Sequence, residues 1–170
     1  MRRSTVVLVA VPAVVASLLA GFGTWYFTRA EEPTPPQISA YSNGHLTHVG
    51  PYLYCDALDL EACLLSESQG TLSVDERHPV QLSVDDRIGR APWRLVRVYD
   101  DPGDTTGQIF PPGSTLAVTV PTMDPHRGPL RGLAVQLLTM VRDRDTGDTF
   151  AIPHAEWAVG LHWNRQSRTG

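Results

Sequence analysis

At 170 residues the chain can build one domain with a substantial core but not two. Its 14 basic residues are all Arg, which we read as the base composition of a GC-rich genome, and 18 acidic residues outweigh them. From Glu31 onward, 18 acidic residues against 11 Arg leave a net −7, which excludes the clustered positive surface that nucleic-acid binding requires.

From Thr5 to Phe27, "TVVLVAVPAVVASLLAGFGTWYF" carries no charge. As a helix this run rises roughly 34 Å, enough to cross a hydrocarbon core of about 30 Å. Arg2 and Arg3 precede it, and Trp25 and Tyr26 stand where an interfacial aromatic belt belongs. The basic end predicts an N-in orientation, with everything after Thr28 outside the cell. A cleaved signal peptide is the competing reading. Its apolar core would be shorter, and the best cut, after Ala30, would put Arg29 beside the scissile bond. The run therefore reads as an uncleaved signal anchor, and no cysteine follows it to carry a lipid.

Next comes "RAEEPTPPQ", a short, stiff, solvated spacer. Beyond it the pattern turns to short strands. "QISAYS" and "HLTHV" flank Asn43-Gly44, a strong hairpin signal. "PYLYC", "TLSVD", "VQLSV" and "WRLVRVY" follow, with one helical turn expected at Asp85–Arg90, ended by Ala91-Pro92. A turn-rich loop, "DDPGDTTGQIFPPGS", precedes "TLAVTV", whose Leu116, Val118 and Val120 share a face. "LAVQLLTMV" places Leu133, Val135, Leu137 and Val141 on one side. "EWAVGLHW" buries Trp157, Val159, Leu161 and Trp163 and turns Glu156 and His162 away. About nine or ten strands with Gly/Pro-rich turns predict a mainly β, immunoglobulin-like two-sheet sandwich, with a barrel as the alternative. The expected organisation is a cytoplasmic start (1–4), a transmembrane helix (5–27), a Pro-rich linker (28–36), the exported domain (37–165) and a disordered tail (166–170).

Cys55 and Cys63 are the only cysteines. In an oxidising compartment a lone pair is most simply a disulfide, here closing "DALDLEA". In the chain-entropy model such a small ring is worth roughly 2.5 kcal/mol. The spacing suits neither a Cys-x-x-Cys redox site nor, alone, zinc.

The ordered set "ISAYSNG", "VGPYLYCD", "PVQLSV", "APWRLVRVYDDP", "LAVTVPTMDPHRGPLRGLAVQLLT" and "IPHAEWAV" resembles the actinobacterial family known as domain of unknown function 2771. The likeness spans nearly the whole exported part, with the anchor and both cysteines. It implies a membrane-anchored, mycobacterial-type envelope protein, and it brings no activity and no catalytic residue.

Chemistry-bearing patterns are sparse. His45 and His48 fall on opposite faces of a strand, while His154 and His162 share a face with Glu156 but lie about 26 Å apart unless the chain bends at Pro153. "DRDTGDT" departs from a calcium loop at Gly147 and Arg144 and reads as a hairpin turn. Asp100, Asp101 and Asp104 could form a weak calcium site, but an Asp-Pro-Gly turn explains them as well. Ser114 lacks a nucleophile elbow, and no phosphate-cradling glycine loop is present. Trp93, Trp157 and Trp163 read as core or sheet-edge residues before sugar platforms.

No cofactor or metal is expected. The reading is a single-pass plasma-membrane protein whose exported sandwich is a binding or assembly module for an envelope protein, glycan or lipid. Recognition is expected in the disulfide loop and in the Asp100–Ser114 loop, through Asp100, Asp101, Asp104 and Phe110. An envelope hydrolase, or a carrier holding an apolar ligand between the sheets, is the alternative.

Overall fold

A computed structural model describes residues 15–25, 34–57, 59–67 and 69–163. Residues 15–25 form a helix, α1. Among the described residues no helix is long and apolar enough to cross a membrane. The rest of the expected span 5–27 lies outside the described residues, as do residues 1–4, most of the linker and the tail. The chain divides into two units, Met1–Thr34 and Pro35–Gly170.

The second unit is mainly β. Asn43 and Gly44 both take positive φ, 44° and 82°, the conformation of a two-residue hairpin turn that only such residues adopt cheaply. They join β1 (Ile38–Ser42) to β2 (His45–Val49). Next come β3 (Leu53–Cys55), β4 (Cys63–Leu65), β5 (Gly70–Val74) and β6 (Val80–Val84). The single turn α2 (Asp86–Gly89) is capped by Asp85, whose side chain accepts the Arg87 N–H, and it leads to β7 (Trp93–Tyr99). The chain then forms β8 (Thr106–Phe110), β9 (Ala117–Val120) and β10 (Met123–Asp124). Two strands of 15 residues, β11 (Gly128–Arg142) and β12 (Thr149–Trp163), complete it.

One sheet has the order β2-β1-β6-β9 and the other β4-β3-β12-β11-β7-β8, with β10 added to β11 and β5 to β12. All pairings are antiparallel except β5 with β12. Two sheets of opposed apolar faces are consistent with a sandwich. The twelve strands among the described residues exceed the nine or ten expected. Three of the additions, β4, β8 and β10, are short pieces whose pairing supplies what their sequences do not announce.

The strand "EWAVGLHW" also starts earlier than expected, at Thr149. Pro153 masks its beginning, because proline cannot donate to a ladder. The structure accommodates it at a bulge. Leu137 faces Ala155 and Leu138 faces Pro153, so His154 is the extra residue.

Alternation makes the core. Ile38 and Ala40 of β1 and Val80, Leu82 and Val84 of β6 meet Trp93 and Leu95 of β7, Leu133 and Val135 of β11, and Trp157 and Val159 of β12. Each tryptophan of this unit also satisfies its ring N–H with a backbone carbonyl: Trp157 with Pro36 (2.8 Å), Trp163 with Leu130 (2.9 Å) and Trp93 with Thr115 (3.3 Å). The first is fully buried and ties the start of the unit to its last strand.

Replacing Trp157 by Phe keeps an aromatic ring but strands the Pro36 carbonyl and leaves a void. Urea unfolding should report a loss of about 2–4 kcal/mol. The half-buried Trp163→Phe should lose clearly less. Equal losses would mean that burial of the Trp157 bond does not matter.

Candidate functional site

The disulfide is formed between Cys55 and Cys63, with S–S 2.04 Å. The two are facing residues in the β3–β4 ladder, Cys55 buried and Cys63 exposed. Between them the chain is pinned by hydrogen bonds that include Asp56 N–H to Ala62 O (3.1 Å), Ala62 N–H to Asp59 O (3.1 Å), Cys63 N–H to Glu61 O (3.1 Å) and Glu61 N–H to an Asp59 carboxylate oxygen (3.2 Å).

The core reaches as far as Tyr54, which meets Trp157 edge-on at 6.4 Å, and stops before β4. Among the described residues β4 is the last strand of its sheet and pairs along one edge only. Leu64 is 67% exposed and Leu65 79%. Their neighbours along the strand point to opposite faces, so both faces of this edge are apolar. Asp56, Asp59, Glu61 and Glu67, all exposed, flank this strand in the sequence. The expected disulfide loop is therefore the tip of a clamped hairpin, and its apolar strand is what sequence reading missed. A "CLL" of three residues carries too little period to register.

The other expected surface is less uniform. Asp100 is ion-paired with Arg131, one contact being 3.0 Å from Nη2. Asp101 accepts the Gly103 N–H at 2.8 Å and caps the 3₁₀ turn Pro102–Asp104. Two of the three carboxylates are thus engaged separately, and Asp104 is half-buried. Residues 106–110 are not loop but strand β8, at the far edge of the large sheet. Phe110, expected on the recognition surface, is instead buried at 8% exposure and stacked on Trp93 with ring centroids 4.2 Å apart. It follows the inward parity of β8, while Ile109 on the other face is exposed.

Among the described residues no group of three His, Cys, Asp or Glu is placed to hold a metal. His154 sits buried in the bulge and His162 is exposed on the same strand. The Glu156 carboxylate is bonded by Gln136 Nε2 at 3.2 Å. Burial and the neighbouring Glu156 carboxylate push the Tyr52 hydroxyl up to about 12. Asp143 accepts the N–H groups of Asp145 and Thr146, which makes "DRDTGDT" a hairpin turn.

Residues 31–162 match the family described as "Protein of unknown function (DUF2771)". The chain belongs to this family. Uncharacterised proteins of Mycobacterium bovis and of two Mycobacterium tuberculosis strains are 52% identical to it over 161 residues, covering 95% of this chain and 99% of each relative. No solved structure matches.

Two groups with lowered folded values set the expected response to acid. Burial holds His154 below its ordinary 6.5, while the nearby Asp56 opposes this, and its Nδ1 has no hydrogen-bond partner among the described residues. Asp75 is held down to about 2, first by the His78 ring and then by the N–H groups of Arg77 and His78. Both folded values lie below the unfolded ones, so the unfolded chain binds more protons as pH falls.

Stability should be flat between the ordinary histidine value of 6.5 and the ordinary tyrosine value of 10.0. It should decline above 10.0 as the unfolded chain loses the Tyr52 proton first, and decline below 6.5 as His154 resists protonation. A further decline should begin near 3.8 and run to about 2 as Asp75 protonates, together with Asp85, Asp100, Asp124 and Asp143, which their hydrogen bonds also hold low. Urea midpoints measured against pH check this. His154→Gln should remove the decline that begins at 6.5 and leave the one that begins near 3.8.

Proposed function

We propose that the protein is a single-pass, N-in component of the cell envelope. Its immunoglobulin-like exported sandwich recognises another envelope protein through the clamped hairpin β3–β4. The observation carrying this reading is the exposure of Leu64 and Leu65 on a strand edge that pairs with nothing among the described residues and that a disulfide holds rigid.

A free edge offers backbone donors and acceptors to an incoming extended segment, and the flanking side chains supply selectivity. The acidic rim favours a segment with basic residues beside its apolar ones, and like-charge repulsion there opposes pairing between two copies. Clamping lowers the entropic cost of binding, because the hairpin is ordered beforehand.

Tethering adds to this. The nine-residue linker 28–36 reaches at most about 30 Å, which confines any partner to the membrane or the adjacent envelope. Within such a shell weak binding suffices. Surface recognition is favoured over carriage of an apolar ligand, since Trp93, Trp157, Leu133 and Val135 pack the space between the sheets.

A photo-crosslinking residue at Leu65 in intact cells should give one discrete protein adduct. Leu64→Asp should abolish it without altering thermal unfolding. The same adduct from a probe at Asp145, on the β11–β12 turn, would contradict the hairpin as the docking surface.

A further inference from the structure

The outward face of the four-stranded sheet carries a second surface, unrelated to the hairpin. A shallow groove of about 240 Å³ is lined there by Ser39 and Tyr41 of β1, Leu46 of β2, Gln81 and Ser83 of β6, and Thr119 of β9. We propose that this groove binds an uncharged saccharide chain.

Register builds it. Ser39 faces Ser83, Tyr41 faces Gln81, and Gln81 faces Thr119, so hydroxyl and amide groups form two transverse rows. Adjacent strands stand about 4.8 Å apart, which repeats polar groups at the scale of one sugar ring. Each side chain here offers both donor and acceptor, as a sugar hydroxyl demands of its partner. Ser39 is already paired with His48 Nδ1 at 2.8 Å, which orients its hydroxyl.

Charge selects the ligand class. None of the lining residues is Asp, Glu or Arg, although residues 31–170 carry 18 acidic residues and 11 Arg. A phosphate, carboxylate or ammonium would find no counter-charge in the groove, whereas a neutral polyhydroxyl chain finds its complement. Tyr41 and Leu46, 40% and 58% exposed, add the apolar wall on which the C–H face of a sugar rests. The Tyr41 oxygen accepts the Gly44 N–H at 3.0 Å, so the ring is held in position before any ligand arrives.

Size sets the mode. The groove is smaller than the roughly 300 Å³ at which pockets for drug-sized ligands begin. It holds one or two rings at a time, as a site on a continuous chain would, and single-site binding is weak.

Amide NMR of the full chain in detergent, titrated with neutral cello-, malto-, manno- and xylohexaose, tests the proposal. At least one sugar should shift the resonances of Ser39, Gln81, Ser83 and Thr119 with millimolar affinity. Hexagalacturonate, the charged counterpart, should shift them at least tenfold more weakly.

Ser83→Val combined with Gln81→Val removes the polar groups while suiting a strand, and it should weaken binding at least tenfold. Leu64→Asp should bind as the wild type does, so failure of the hairpin reading leaves this one standing. The proposal is overturned by absence of shifts with all four sugars, by unchanged affinity in the double variant, or by shifts at these residues that depend on protein concentration alone, which would make the face a contact between copies.

Discussion

Everything in the β unit hangs on the pairing of β11 with β12. Each contributes 15 residues, and the ladder runs from Gly132–Gly160 to Arg142–Thr149. Every other strand of the large sheet attaches to one of these two or to a strand that does: β7 and β10 to β11, β3 and β5 to β12. The inward residues of this hairpin also form the floor on which the small sheet rests. Trp157 stands at its centre, fully buried, and its ring N–H reaches back to Pro36 across most of the chain. Close approach of the two sheets is visible at Gly70, where a Cβ would come within 2.1 Å of Val49.

This arrangement decides which surfaces are free. A six-strand path faces a sheet of four, and the core stops before β4. The β3–β4 hairpin lies where burial no longer enforces order, and a covalent link supplies it instead. A disulfide between facing residues of adjacent strands fixes their register in the same way that a buried face does elsewhere. The outward residues of the small sheet combine the polar Ser39, Gln81, Ser83 and Thr119 with the rings and methyls of Tyr41 and Leu46. The two proposed surfaces thus belong to different sheets and differ in chemistry, one apolar with an acidic rim and the other neutral and hydrogen-bonding.

Much of the β architecture was legible in the sequence. The Asn43-Gly44 turn, the helical turn at Asp85–Arg90 and the alternation around Trp157 each act through one local rule, and each holds. The errors arise where a local rule meets a tertiary one. Pro153 argues against a strand, yet the bulge at His154 absorbs it. Residues 106–110 read as loop because glycines and prolines surround them, yet β7 offers them an edge. Phe110 read as exposed for the same reason, although once β8 is a strand its parity sends it to Trp93. Leu64 and Leu65 could not be found from pattern, since their exposure depends on where the core ends. The groove could have been found: the outward parity of "ISAYS" and "VQLSV" already names Ser39, Tyr41, Gln81 and Ser83, and only the adjacency of β1 and β6 was missing.

Native-state hydrogen exchange tests most directly whether the β11–β12 pair is the spine and the disulfide hairpin a satellite of it. Amides within Leu133–Leu137 and Ala155–Leu161 should exchange only by global unfolding, the slowest in the protein. Those of Leu64 and Leu65 should exchange through local opening, faster by at least a factor of about one hundred. If the hairpin amides were protected as strongly as those of the spine, the division between a rigid scaffold and an appended recognition element would be contradicted.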